Sequence, residues 1–336
     1  MKRILIVGAG GFLGSHLLEA AIEQPDLEVW AGIRESTSTR WFPKSGVNLI
    51  HFDFEDAVDV EKKLTECLPE GEKWDWIVYN LGATKCLRYK DFDHINYDLL
   101  RTFVEALART GMMPEKFLYI SSLSAMGPGK NRDYTPFTEQ MLPQPNTRYG
   151  ASKLKAEMVL QMHDVPYIVF RCTGIYGPRD RDYFLMFDAM RKGFDFSVGF
   201  RKQILSFVYA PDLAQAVFMA LYKAPVKELY NIAEQRAYSQ AEFRKIVAEK
   251  LRKKLIIPVR VPLWATKAVS WICEKIGVVR GKPSTLNSDK YNIMKQRNWS
   301  VDTRKAHDAF GFEAPTSLSA GVSQSIDWYR KEGWMK

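Results

Sequence analysis

The chain has 336 residues, 46% of them apolar and 26% charged, the balance of an ordinary globular protein with room for a sizeable core. Its 48 Lys and Arg against 39 Asp and Glu leave a net charge of +9, which suits anionic ligands, nucleic acid or an anionic membrane face. No apolar run approaches the ~20 residues needed to span a bilayer. Met1-Lys2-Arg3 and the apolar residues after it resemble the start of a signal peptide, but Gly8, Gly10 and Gly11 interrupt the run and no cleavage site follows. A cytoplasmic location is therefore expected. Cys67, Cys86, Cys172 and Cys273 are scattered, as are the histidines, so neither a disulfide framework nor a metal site is expected. The basic residues are spread as well, apart from Arg252-Lys253-Lys254 at the end of a predicted helix, where they suit its negative end. Nothing calls for a nucleic-acid partner.

Residues 3–7 form a short apolar run rich in β-branched side chains and ended by glycine, which predicts a buried strand. Over residues 12–23, Leu13, Leu17, Leu18, Ala21 and Ile22 recur at helical spacing. Between the two lies Gly8-Ala9-Gly10-Gly11-Phe12-Leu13-Gly14. Gly8 permits a tight turn, Gly11 lets a pyrophosphate approach backbone, and Gly14 lets helix and strand pack closely. The helix opening at Phe12 and Leu13 then turns free N–H groups and its positive end toward phosphates.

Further strand-like runs lie at 28–33, 47–52, 76–79, 117–120 and 167–171, with helical segments at 95–109 and 152–162 among them. Such alternation predicts an α/β fold, a doubly wound parallel sheet of the Rossmann type. The second strand ends Ala31-Gly32-Ile33-Arg34, with Ile33 where a carboxylate would accept from a ribose 2′-OH. Arg34 can instead pair with a 2′-phosphate, so NADP(H) is preferred and NAD(H) is possible; stacking of Arg34 on adenine is the alternative. Ser36, Thr37, Ser38 and Arg40 add further donors.

Tyr149-Gly150-Ala151-Ser152-Lys153 puts a tyrosine and a lysine one helical turn apart, on one face. Tyrosine, with a pKa near 10, is a poor acid at neutral pH, and the lysine is expected to lower that value toward what proton transfer needs. Ser121-Ser122 ends a strand at the sheet's carboxyl edge, where a hydroxyl can hold the oxygen that Tyr149 protonates.

Past Arg171 the rhythm changes. Loops carry Gly174, Gly177, Pro178 and Gly193, and a strand-helix unit over 206–209 and 212–221 is expected to return to the sheet, with Asp212 as helix N-cap. Ser239 and Glu242 have capping-box spacing. Between Leu263 and Ile276, Trp264, Ala268, Trp271, Ile272 and Lys275 follow helical spacing. This stripe either packs on its own lobe or, with residues 255–257 before it, faces a membrane interface or a lipid-like substrate. The expected organisation is a nucleotide-binding lobe over 1–175 plus about 204–233, and a smaller, discontinuous C-terminal substrate lobe over about 176–203 and 234–336.

With these pieces in place, nearly the whole chain resembles the extended short-chain dehydrogenase/reductases: nucleotide-sugar epimerases and dehydratases, dihydroflavonol reductases and 3β-hydroxysteroid dehydrogenases. The resemblance implies further cofactor contacts at Asp53-Phe54, Leu81-Gly82, Lys85 and Thr173, a supporting role for Asn96, and a homodimer. The family's serine-to-glycine spacing, counted back from Gly127, selects Ser122, with Ser124 as the alternative. Epimerases usually carry asparagine where this chain has Gly174, and they tend to hold NAD. Both departures favour an NADPH-dependent reductase of a hydrophobic ketone over an epimerase.

Overall fold

The computed structural model describes residues 1–130 and 133–335. Its first half alternates β1 (Lys2–Val7), α1 (Phe12–Ile22), β2 (Leu27–Ile33), β3 (Val47–His51), α2 (Ala57–Glu66) and β4 (Trp76–Tyr79). Next, α3 (Lys90–Asp93) runs through a π turn, His94–Asp98, into α4 (Leu99–Thr110). Then come β5 (Lys116–Ser122), α5 (Arg148–Met162), β6 (Tyr167–Cys172), β7 (Gly174–Tyr176) and α6 (Asp182–Arg191). The next group is β8 (Phe194–Val198), β9 (Ile204–Leu205), β10 (Phe207–Tyr209), α7 (Ala210–Lys223) and β11 (Glu228–Ile232). The remainder is β12 (Tyr238–Ser239), α8 (Gln240–Lys250), β13 (Ile257–Val261), α9 (Leu263–Val279) and α10 (Ser288–Met294). β14 (Asn298–Trp299), α11 (Arg304–Phe310) and α12 (Leu318–Lys331) close the order.

Seven strands pair in the order β11-β6-β5-β4-β1-β2-β3, all parallel. Growth of the sheet reverses between β1 and β4, and the crevice at their carboxyl ends is where such sheets bind ligands. Alternation along β1 sets the layers: Ile4 and Ile6 pack with α1, α7 and α11, and Leu5 and Val7 pack with α2, α4 and α5. A one-residue slip would exchange the two sets, so the hydrophobic pattern itself holds the register. A second core over the sheet's carboxyl end joins Tyr176, Phe187, Phe207, Phe243, Val322 and Tyr329. The capping box at Ser239 and Glu242 forms as predicted.

Three expectations need correction. The strand that returns to the large sheet is β11, whereas β10 pairs only with β7. The polar residues of β11 hide it in the sequence, but they find partners at this edge: Glu228 pairs with Lys305, and the Asn231 side-chain amide donates to the Phe137 carbonyl at 3.3 Å. Residues 304–312 belong with the first lobe, because Ala306, Phe310 and Phe312 pack in its core. Asp212 is not an N-cap; Tyr209 holds that position, and the buried Asp212 carboxylate accepts from the Thr316 amide (3.0 Å) and hydroxyl (2.8 Å).

Candidate active site

The glycine turn is built as its residue types require. Gly8 has φ +79°, and a Cβ there would stand 2.6 Å from the Leu81 amide nitrogen. A Cβ on Gly14 would meet the Gly8 and Ala9 carbonyls at 2.5 Å, and one on Gly10 would strike the Thr37 methyl. Gly11 is the N-cap of α1 with no side-chain cap, so the first amides of the helix point unpaired into the crevice. Phe12 packs edge-on against His16, and Leu13 is buried beneath the turn. This bare, Cβ-free helix start fits a dinucleotide pyrophosphate.

At the far end of the crevice, Arg34 is exposed, with no ion pair among the described residues, and its backbone amide donates to the Thr37 hydroxyl. Asp53 accepts from the Glu55 amide in the loop after β3. Phe54 turns its ring into the core against Phe52, so only its backbone is left for a ligand. Thr173 lies apart from the glycine turn and donates its amide and hydroxyl to the Ile232 carbonyl. Lys85 forms an ion pair with Asp182 of α6.

The catalytic candidates converge at the carboxyl end of β5. Thr147 caps α5 through its hydroxyl, bonded to the Gly150 amide at 2.9 Å, and Tyr149 and Lys153 follow on the first turns. Ser122 stands near enough to the Tyr149 phenol to act on its titration, and its hydroxyl accepts from the Ser124 amide at 3.2 Å. Lys153 donates to the Ile120 carbonyl at 2.8 Å and lies over the Tyr119 ring at 4.6 Å. A Cβ on Gly82 would stand 2.9 Å from Asn96 Oδ1 and 3.3 Å from Lys153 Nζ, so this glycine lets the wall approach both. Asn96, fully buried in the π turn, accepts from the Ala83 amide (2.8 Å) and donates to the Ala83 carbonyl and the Ser152 hydroxyl (both 3.0 Å).

The expected lowering of the Tyr149 pKa by Lys153 does not occur in this geometry. Burial pushes the phenol up to about 12, offset only in part by the Ser122 hydrogen bond. Burial also draws Lys153 down to about 8, which weakens the charge that would stabilise a phenolate. The pair as folded favours a protonated tyrosine, the form that gives a proton.

Several supporting residues carry no sequence signal. Asp289, at the start of α10, accepts from the amides of Arg148 (2.7 Å) and Tyr149 (3.0 Å), tying the start of α5 to the C-terminal lobe across 140 residues of chain. Below the centre, buried Glu157 accepts from Arg171 and from Ser121 (2.5 Å), joining α5, β6 and β5. The phenol of Tyr183 fills the space beside Gly174, where a Cβ would stand 2.2 Å from its oxygen. Asn287, the N-cap of α10, was the one readable sign that a helix begins beside Asp289.

A Rossmann sheet, a glycine turn under a bare helix start, and a serine–tyrosine–lysine centre together define an NAD(P)-dependent enzyme of the extended short-chain dehydrogenase/reductase type. The chain belongs to the NAD dependent epimerase/dehydratase family, whose model matches residues 4–233. It is 24% identical to a dTDP-D-glucose 4,6-dehydratase of Mus musculus, over 98% of this chain and 89% of that protein. It is 22% identical to a ceramide reductase of Caulobacter vibrioides, over 99% of this chain and 96% of that one. A UDP-glucuronic acid 4-epimerase from Bacillus cereus, solved in complex with NAD, superposes with a TM-score of 0.77 at 19% identity, covering 98% and 99% of the two chains. No described helix is long and apolar enough to cross a membrane.

Proposed function

We propose that the protein is an NADPH-dependent reductase of a ketone on a lipid-like substrate, such as a 3-oxo sphingoid base or a sterol, working in the cytoplasm at a membrane face. The observation that carries this reading is at Gly174. With the Tyr183 phenol seated beside it, no side chain at that position can reach the cleft as the epimerases' asparagine does. The exposed, unpaired Arg34 supports a 2′-phosphate and hence NADPH. Likeness to a ceramide reductase agrees with a lipid substrate.

When bound in the crevice, NADPH supplies the hydride. Ser122 donates to the substrate carbonyl oxygen and orients it beside Tyr149. Tyr149, held protonated by burial, gives its proton to that oxygen as the alkoxide forms. Lys153 keeps positive charge beneath this oxygen pair and offers its remaining N–H donors to the nicotinamide ribose. Asn96 fixes the wall at Ala83 against Ser152, holding the first turns of α5 in place. A nucleotide-sugar dehydratase or epimerase is the second reading, favoured by the identity to the mouse dehydratase. Incubation with UDP- or dTDP-sugars and with a panel of lipid ketones separates the two. Net oxidation of NADPH with a lipid ketone is expected, and conversion of a nucleotide sugar at ordinary enzyme rates would reverse the ranking.

A further inference from the structure

Helix α9 is folded with its polarity reversed. The residues it turns inward are small or polar: Thr266, Ser270 and Gly277 are buried. Facing out are Leu263, Trp264, Val269, Trp271, Ile272 and Ile276, with Trp264 75% and Trp271 57% exposed. A surface helix ordinarily buries its apolar stripe. The paired strands leading into it show the same reversal. Along β8, Phe194 and Phe196 face solvent while Asp195 and Ser197 are buried, and Ile257 of β13, paired with Phe194, is exposed too. Contiguous exposed apolar surface of this kind marks an interaction site.

The charges around it select the partner. Between residues 251 and 282 there are eight Lys and Arg, all exposed, against one acidic residue, Glu274. That carboxylate is turned inward, where it accepts from the Tyr89 hydroxyl (2.7 Å) and the Ser288 amide (3.0 Å). An apolar, tryptophan-bearing face in a predominantly basic rim complements an anionic bilayer surface, where tryptophan sits at the headgroup level and each basic residue adds attraction. A symmetric contact with a second copy would instead set the basic rim against itself. At 17 residues α9 is short for a span, so its geometry is that of a helix lying in the interface.

We propose that α9, with β8 and β13, docks the protein onto anionic lipid bilayers, the two tryptophans entering the headgroup layer. The inner side of α9 supports this placement. Glu274, Gly277 and Val278 line a cavity of about 250 Å³ with Cys86, Tyr89 and Asn287. From there the chain continues directly into α10, whose Asp289 holds the amide of the catalytic tyrosine. A docked protein therefore has the helix pair that anchors the start of α5 next to the lipid, although the docking itself does not depend on which ketone is reduced.

The test is co-sedimentation of the full-length protein with phosphatidylcholine vesicles containing about 30% phosphatidylglycerol, against phosphatidylcholine alone. Binding is expected only to the anionic vesicles, to weaken with salt, and to fall about tenfold or more in a Trp264→Ser/Trp271→Ser variant. Both side chains are exposed, so NADPH binding by that variant is the control for its fold. Absence of vesicle binding, or binding unchanged by the double substitution, overturns the proposal. So does a lipid-free dimer that the same substitutions dissolve, which would make the face a contact between copies. Each of these results would remove the membrane face from the proposed function and leave the reduction itself standing, since ketone reduction is tested by the turnover assays.

Discussion

Replacing Lys153 by methionine should stabilise the cofactor-free protein near neutral pH while abolishing its activity. The ammonium is 6% exposed, and burial lowers its pKa from 10.5 to about 8. A shift of this size means that carrying the charge in the folded state costs about 3 kcal/mol. Methionine removes that cost but cannot donate to the Ile120 carbonyl at 2.8 Å, a loss of about 1 kcal/mol. The net gain is therefore about 2 kcal/mol. Unfolding entropy of about 2.1 cal/mol/K per residue gives roughly 0.7 kcal/mol/K for this chain, so Tm should rise by about 3 °C. Because the folded pKa lies below the unfolded one, the native state binds fewer protons between pH 8 and 10.5, and the unsubstituted protein gains stability as pH rises through that window. The advantage of Lys153→Met should accordingly be full at pH 7, fall to zero at about pH 10 and reverse slightly above it. Thermal melts of both proteins across this range check it. A variant less stable at pH 7, or a difference that ignores pH, would refute the reasoning.

Arg34→Ala should remove most of the preference for NADPH over NADH in fluorescence titrations. A charge-assisted contact is worth about 1.5–3 kcal/mol, and the exposure of Arg34 places the loss at the low end, about tenfold. Equal affinity for both cofactors in the unmodified protein would sink the NADP assignment. Ser122→Ala should lower turnover with cofactor affinity spared, and Ser124→Ala should do much less, because Ser122 is the serine that acts on the Tyr149 phenol; the opposite order would move the role to Ser124. Tyr149→Phe keeps the ring and should leave NADPH binding intact while turnover falls by about 10²–10⁴.

The nucleotide half was legible because its signals are local. A strand, a glycine turn and a helix within 22 residues each restrict the backbone, and the structure follows them closely. The placement of Tyr149 and Lys153 on the first turns of α5, and of Ser122 at a strand end, was legible for the same reason, since a helical turn and a strand end set their spacing. What escaped the sequence is non-local. Asp289 reaches the catalytic helix from 140 residues away, and Tyr183 fills the space at Gly174 only once α6 folds over the sheet. The pKa shifts of Tyr149 and Lys153 run against the simple expectation because burial, invisible in a motif, is the largest cause of both. The 263–276 stripe was ambiguous between core and surface by periodicity alone. The structure turns its tryptophans outward, since the inner face carries the short Thr266 and Ser270 side chains and the bare Gly277, where a Cβ would stand 2.8 Å from the Lys282 carbonyl.

The most direct test of the reductase account follows the hydride itself. The protein is incubated with NADPH deuterated at the transferring carbon of the nicotinamide, together with a 3-oxo lipid, and the products are read by mass spectrometry. The account predicts an alcohol carrying one deuterium on the former carbonyl carbon, formed in step with NADP⁺ and lost in Tyr149→Phe. Lipid ketones left unchanged, while a nucleotide sugar is converted with no net oxidation of the cofactor, would contradict it.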